Sequence, residues 1–268
     1  MEPGLARDAL TLLLGFTTGV LSALFGVGGA IVSNPGLRAL GAAPLVAVGT
    51  TLPSILPGAI SGTLRYRREG LINWRLIIPA AASGLLAVVA GSLLSHAVPG
   101  GGHLLLLLIA VLLAFTAWRT AVVPSDTPAA DAAADVPPAA PEGRTRWVAA
   151  GIGVVAGLLS GLLGIGGGVI MVPAFTELLG LSLKSAIATS LVCVGIFGVP
   201  ATITHAFLGD IDWRLAVLLT IGVVPGAQIG ASLTIRTAER RLRLAVGIFL
   251  GLVALVYFVT ETRALLAL

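Results

Sequence analysis

Charge is what this chain has least of. Asp, Glu, Lys and Arg make up 10% of its 268 residues, against about 25% in a soluble globular domain. Hydrophobic residues make up 57%, and the mean hydropathy is +1.04. Such a chain is an integral membrane protein. Cysteine is nearly absent: Cys193 stands alone, which excludes an internal disulfide and any metal site built from several thiolates. The histidines, His96, His103 and His205, have no chelating spacing, so no metal site is expected. No basic run carries interleaved aromatics, so the formal charge of +4 is read as loop arginines facing anionic lipid, and nucleic acid is not an expected partner. Inside the apolar runs no nucleophile has a base beside it, which excludes a hydrolase. No catalytic residue is assigned.

What the chain has is long apolar stretches. They run at about 9 to 32, 44 to 64, 76 to 95, 104 to 118, 147 to 172, 185 to 204, 215 to 235 and 244 to 260, and none contains Asp, Glu, Lys or Arg. Most approach the roughly 20 residues that cross a bilayer as helix, and their length without alternation excludes strands. The fold expected is an all-α polytopic membrane bundle of about eight segments. The first run is too long for the hydrophobic core of a signal peptide and is expected to be retained.

Glycine is abundant and patterned. Gly164-Ile165-Gly166-Gly167-Gly168 leads through an apolar run to Pro173, and Gly26-Val27-Gly28-Gly29-Ala30 leads likewise to Pro35, at an offset of 164 − 26 = 138. Further on the offset is 139: Gly70-Leu71-Ile72-Asn73-Trp74-Arg75 matches Gly209-Asp210-Ile211-Asp212-Trp213-Arg214. The chain therefore reads as two halves, 1–123 and 144–268. Between them, 124–143 holds five prolines, seven alanines and four acidic residues, the composition of a disordered linker.

Glycines in a row interrupt a helix and free the amides that begin the next one. In hydrocarbon those amides must be satisfied by protein, water or ligand, and a helix N-terminus held there suits an anion. Gly26, Gly28, Gly29, Gly164, Gly166, Gly167 and Gly168 are the candidate binding positions, with the hydroxyls of Thr51 and Ser190, which match at 139. Gly15, Gly19, Gly157 and Gly161 fit the small-residue spacing of close helix packing instead. Glu177 and His205 are candidates for proton coupling. Trp74 and Trp213, each opening an apolar run after a polar turn, are expected at the membrane interface.

The basic loops add a topological expectation. Arg65, Arg67, Arg68 and Arg75 follow the second run of the first half, whereas Arg236, Arg240, Arg241 and Arg243 follow the third run of the second half. If both loops are cytoplasmic, the halves are inserted in opposite senses, which requires an odd number of crossings per half. The 34 residues from Trp147 to Gly180 make about 51 Å of helix against a core of about 30 Å. A re-entrant hairpin, or two crossings hinged at the glycines, restores the odd count.

The repeated G-x-G-G-G/A motif with its following proline, the Gly209-Asp210-Ile211-Asp212-Trp213 turn and the duplication together resemble the sulfite exporter TauE/SafE family of membrane transporters. That resemblance implies a multi-pass transporter of the plasma membrane, of the bacterial inner-membrane type. It implies small anions such as sulfite, sulfonates or other sulfur compounds as substrates, and no bound cofactor. Alternating access driven by a gradient is the mechanism expected. An uncoupled anion channel and a non-transporting membrane scaffold are the alternatives. Partners are the anion, the bilayer and, as an open option, a second copy in a homodimer. Ala30, where the second copy has its third glycine, is the first half's departure from the pattern.

Overall fold

The computed structural model describes residues 4–95, 103–122, 142–164 and 166–266. They form ten α-helices: α1 (Leu5–Phe25), α2 (Ala30–Ala39), α3 (Pro44–Arg68), α4 (Trp74–Ser95), α5 (His103–Val122), α6 (Glu142–Leu163), α7 (Gly168–Leu179), α8 (Leu183–Leu208), α9 (Trp213–Arg236) and α10 (Glu239–Leu266). There is no strand among the described residues. The eight apolar runs become ten helices because the first run of each half is cut at its glycines. Gly26 and Gly164 adopt left-handed φ values of 67° and 66° and donate their amides back to Ser22 (2.8 Å) and Ser160 (2.9 Å), closing α1 and α6. His103 opens α5. The expected linker and His96 lie outside the described residues, except that Glu142 and Gly143 already belong to α6.

Among the described residues, seven helices, α1, α3, α4, α6, α8, α9 and α10, are long and apolar enough to cross a membrane. Their outward faces carry side chains such as Leu86, Ile78, Phe207 and Ile248, all strongly exposed, which only lipid covers without cost. α2 and α7, with 10 and 12 residues, reach about 15 and 18 Å and cannot span.

Side-chain neighbours fix how the long helices run. Ala59 packs on Gly195, Ile55 on Gly198 and Leu191 on Gly62, so α3 and α8 lie antiparallel at the centre. α9 runs parallel to α1 along its length, from Gly15 beside Leu219 to Leu24, whose carbonyl accepts from Thr234 Oγ1 at 2.8 Å. α6 runs parallel to α4 in the corresponding way, from Gly153 beside Ala80 to Gly161 beside Val88. α3 also runs parallel to α9, from Thr50 Oγ1, which accepts the Asp212 amide at 2.9 Å, to Arg65, whose Nε donates to Ser232 Oγ at 3.3 Å. α1 and α3 therefore point the same way, and the chain between them, α2 included, must come back. Each broken segment is a hairpin of one long and one short helix.

One end of the bundle collects Arg65, Lys184, whose Nζ donates to the Ile235 carbonyl at 2.9 Å, and Glu239, which accepts the Leu183 amide at 3.2 Å. The other end carries the Arg214–Asp8 ion pair at 2.7 Å and the Asp210 turn.

The parallel seams are made by missing side chains. A Cβ on Gly19 would run into the Val223 carbonyl and lie 2.9 Å from the Ala227 amide; a Cβ on Gly161 would run into the Val88 carbonyl and lie 2.7 Å from the Ser92 amide. Close backbone approach of this kind replaces the hydrophobic drive that helices lack in lipid. Gly161→Ala should therefore lower stability by about 1 to 3 kcal/mol through overpacking. Gly151→Ala, on the same helix with nothing within 4 Å, should be neutral or stabilising by up to about 1 kcal/mol. Thermal melts of the two variants in one detergent check the contrast.

Candidate functional site

The two glycine breaks touch. A Cβ on Gly166 would stand 3.5 Å from Gly28 Cα, 3.0 Å from Val194 Cγ1 and 3.9 Å from Ile55 Cδ1. Ile55 and Val194 lie about halfway along α3 and α8, so the meeting point is at mid-bundle. Gly168 approaches closer still: a Cβ there would collide with the Gly26 carbonyl and lie 2.8 Å from Val27 Cα. Gly26 is walled by Ile187 and Gly164 by Val48, residues that match at the repeat offset. The structure thus brings Gly26 and Gly28 against Gly166 and Gly168, while Gly29 packs on Thr18, Gly167 on Ala156 and Gly164 on Val48.

Backbone amides are concentrated there. α2 begins with the Val32 and Ser33 amides bonded to the Gly29 carbonyl (3.1 and 3.2 Å), and α7 with the Ile170 and Met171 amides bonded to that of Gly167 (both 3.2 Å). Among the described residues, no backbone acceptor is recorded for the amides of Gly28 to Ile31 or of Gly166 to Val169. Donors of this kind at a helix start are an anion-binding arrangement. The caps differ in conformation, Gly167 at φ 72° and Gly29 at φ −70°.

The side chains around the breaks differ more. On α2, Ser33 Oγ lies 3.0 Å from Thr51 Oγ1, and Thr51 Oγ1 lies 3.0 Å from Asn34 Oδ1 and 2.9 Å from the Ala47 carbonyl. Tyr257 Oη on α10 donates to the Ile31 carbonyl at 3.4 Å and faces Asn34, with Arg38 within electrostatic reach. At the equivalent positions α7 carries the apolar Met171 and Val172. Ser190, the counterpart of Thr51, donates to the carbonyls of Gly26 (2.9 Å) and Ile187 (3.0 Å).

The remaining sequence candidates lie away from the breaks. His205, fully buried at the end of α8, pairs through Nδ1 with Asp210 Oδ2 at 2.8 Å. Glu177 is exposed near the end of α7. Trp74 and Trp213 open α4 and α9 with half their surface exposed. Thr18, Asn34 and Tyr257 went unnoticed in the sequence. Attention to charge passes over neutral polar side chains, although an Asn between the first apolar run and Pro35 was a visible signal.

A family model described as "Sulfite exporter TauE/SafE" matches residues 11–257. The chain is similar to a "Probable membrane transporter protein" of Xylella fastidiosa (strain 9a5c), 29% identical over 226 residues that cover 84% of this chain and 82% of that one. It is also similar to "Probable membrane transporter protein YunE" of Bacillus subtilis (strain 168), 26% identical over 263 residues, covering 91% and 94%. No solved structure gives a significant match. With ten helices, glycine-broken hairpins and a family match over almost its whole length, this chain belongs to the sulfite exporter TauE/SafE family of multi-pass membrane transporters.

Proposed function

We propose that this protein is a gradient-driven carrier of small anions, with sulfite, sulfonates and related sulfur oxyanions as its substrate class, working by alternating access in a bacterial plasma membrane. The observation that carries the reading is the meeting of the two glycine breaks halfway along the α3–α8 pair. Two helix starts converge there without acidic side chains among them, and neutral donors with aligned dipoles favour an anion. Thr51 and Ser190 brace the breaks in this reading, through Asn34 on one side and the Gly26 carbonyl on the other. The site is enclosed by one chain, so the homodimer considered from sequence is not required.

We take 1–123 and 144–268 as inverted repeats joined by the 124–143 linker. The support is the antiparallel course of the equivalent helices α3 and α8 and the exchanged pairing of α1 with α9 and α6 with α4. Each hairpin returns to its own side, and with the 20-residue α5 taken as a further span, packed along α10, three net crossings remain per half. The basic end, with Arg65, Arg67, Arg68, Lys184, Arg236 and Arg240, is then cytoplasmic by the positive-inside rule, and Trp74 and Trp213 anchor opposite interfaces. With Cys193 replaced by Ala, single cysteines at Arg67 and Arg240 should react with an impermeant maleimide from the cytoplasmic side and one at Ala43 from outside. Reaction of Arg67→Cys and Arg240→Cys from opposite sides would overturn the inversion.

Transport itself is tested by counterflow of labelled sulfite in proteoliposomes, competed by thiosulfate, a sulfonate, sulfate and chloride. Gly166 sits at φ 81°, where an L side chain costs about 1 to 2 kcal/mol, and it touches the opposite break. Gly166→Ala should reduce counterflow at least tenfold in protein that still elutes as a single folded species. Conduction without saturation or counterflow would make the protein a channel; a folded wild type with no flux of any anion would make it a scaffold.

For proton coupling we favour His205, which is buried and held by Asp210, over Glu177, which lies exposed at a helix end. His205→Gln should abolish the acceleration of uptake by an imposed pH gradient while leaving counterflow at equal pH within about twofold. Glu177→Gln should keep the response to the gradient. The reverse pattern in the same assay would move the role to Glu177.

A further inference from the structure

The repeat is symmetric in backbone and asymmetric in polar side chains. Thr18 packs its Cγ2 against Gly29, 2.7 Å from where a Cβ would stand, and its counterpart Ala156 holds the same place against Gly167. Thr18 is 1% exposed and Asn34 0%, and neither Thr18 Oγ1 nor Asn34 Nδ2 has a hydrogen-bond partner. The corresponding second-half residues, Ala156 and Val172, have no polar atom to leave unpaired. Two orphaned polar atoms flanking the start of one helix are costly in a membrane interior, and their presence calls for a ligand.

The surroundings say what kind of ligand. Thr51 Oγ1 stands at hydrogen-bond distance from Asn34 Oδ1, which turns the amide nitrogen away from Thr51 and toward the Tyr257 hydroxyl, a contact short of full hydrogen-bond geometry. On a helix, side chains lean toward the N-terminus, so Asn34 projects toward the free amides of the break. Tyr257 adds a hydroxyl on the same face, and Arg38, one turn beyond Asn34, places a cation at the outer end of α2. The Asn34 amide nitrogen and the backbone amides of the break are donors, and Arg38 is positive. Along α7, by contrast, Met171 and Val172 offer an anion nothing. Beside the second break, among the described residues, Ser160 Oγ is also buried outside any hydrogen bond.

We infer that the side-chain part of the anion site belongs to the first half alone, with Thr18 and Asn34 as binding residues and Arg38 drawing the anion along α2 from the end of the bundle opposite the basic loops. This rests on the carrier reading above and adds to it a polar approach on one side and an apolar one on the other. Small oxyanions, with several acceptor oxygens for neutral donors, are the ligands such a site takes.

The test replaces the first-half residues by their second-half counterparts, Thr18→Ala and Asn34→Val. Equilibrium binding of labelled sulfite to protein in nanodiscs is measured beside counterflow and melting temperature. Each variant should weaken binding and raise the KM of counterflow about tenfold or more, a change of about 1.4 kcal/mol, with a melting temperature without anion equal to or above wild type. Ser160→Ala should weaken binding by less than twofold. An Asn34 that merely ties α2 to Thr51, with its amide turned over, predicts the opposite: a lower melting temperature and unchanged affinity. If Asn34→Val does not fold, Thr18→Ala and Arg38→Gln decide, the latter by a raised KM that high salt no longer changes. Normal affinity in these variants, or an equal loss from Ser160→Ala, overturns the inference and leaves the carrier reading standing. Wild-type protein that neither binds nor moves any anion overturns both.

Discussion

Everything in this protein is arranged around a backbone contact that permits no side chain. Gly168 lies against the Gly26 carbonyl and the Val27 backbone, and Gly166 faces Gly28 across a similar gap. A membrane interior has no water with which to satisfy a broken helix, so two breaks can exist at mid-bundle only where protein shields them. α3 and α8 supply the shield, crossing antiparallel beside the breaks with Ile55, Val194, Val48 and Ile187 as walls. The glycine seams of α1 with α9 and α4 with α6 then hold the long arm of each hairpin against a helix of the opposite half.

That arrangement makes the halves interdependent. Each long hairpin arm leans on the other half, and each break is walled by residues from the other half. The two halves share one hydrophobic core. Where the breaks meet, Gly166 and Gly168 bring no side chain to the contact with Gly26, Val27 and Gly28. Left-handed glycines on both sides of that contact can change conformation at lower steric cost than any other residue. A carrier that exposes its centre alternately to two sides is served by such a joint.

Symmetry of the scaffold does not require symmetry of the chemistry. Ala30 stands where the second break has its third glycine, the caps Gly29 and Gly167 differ in conformation, and Thr18, Ser33 and Asn34 correspond at the sequence offset of 138 to Ala156, Met171 and Val172.

By itself the sequence determined the membrane class, the helical fold, the places where helices break and the repeat, because hydrocarbon excludes charge, demands unbroken apolar runs and leaves glycine and proline as the visible interruptions. The packing role expected of Gly15, Gly19, Gly157 and Gly161 was legible for the same reason, from spacing along one helix. The tertiary structure alone decided which helices those glycines meet, that α3 and α8 run antiparallel, that α2 and α7 turn back, and that Asn34 Nδ2 and Thr18 Oγ1 are buried outside any hydrogen bond. Those facts depend on contacts between residues more than 100 positions apart, such as Gly19 with Val223 and Gly26 with Ser190. In a chain whose long helices are apolar on nearly every face, no periodicity marks which face meets which neighbour. Neutral polar residues such as Asn34 are also inconspicuous to a reading guided by charge, and only their enclosure gives them weight.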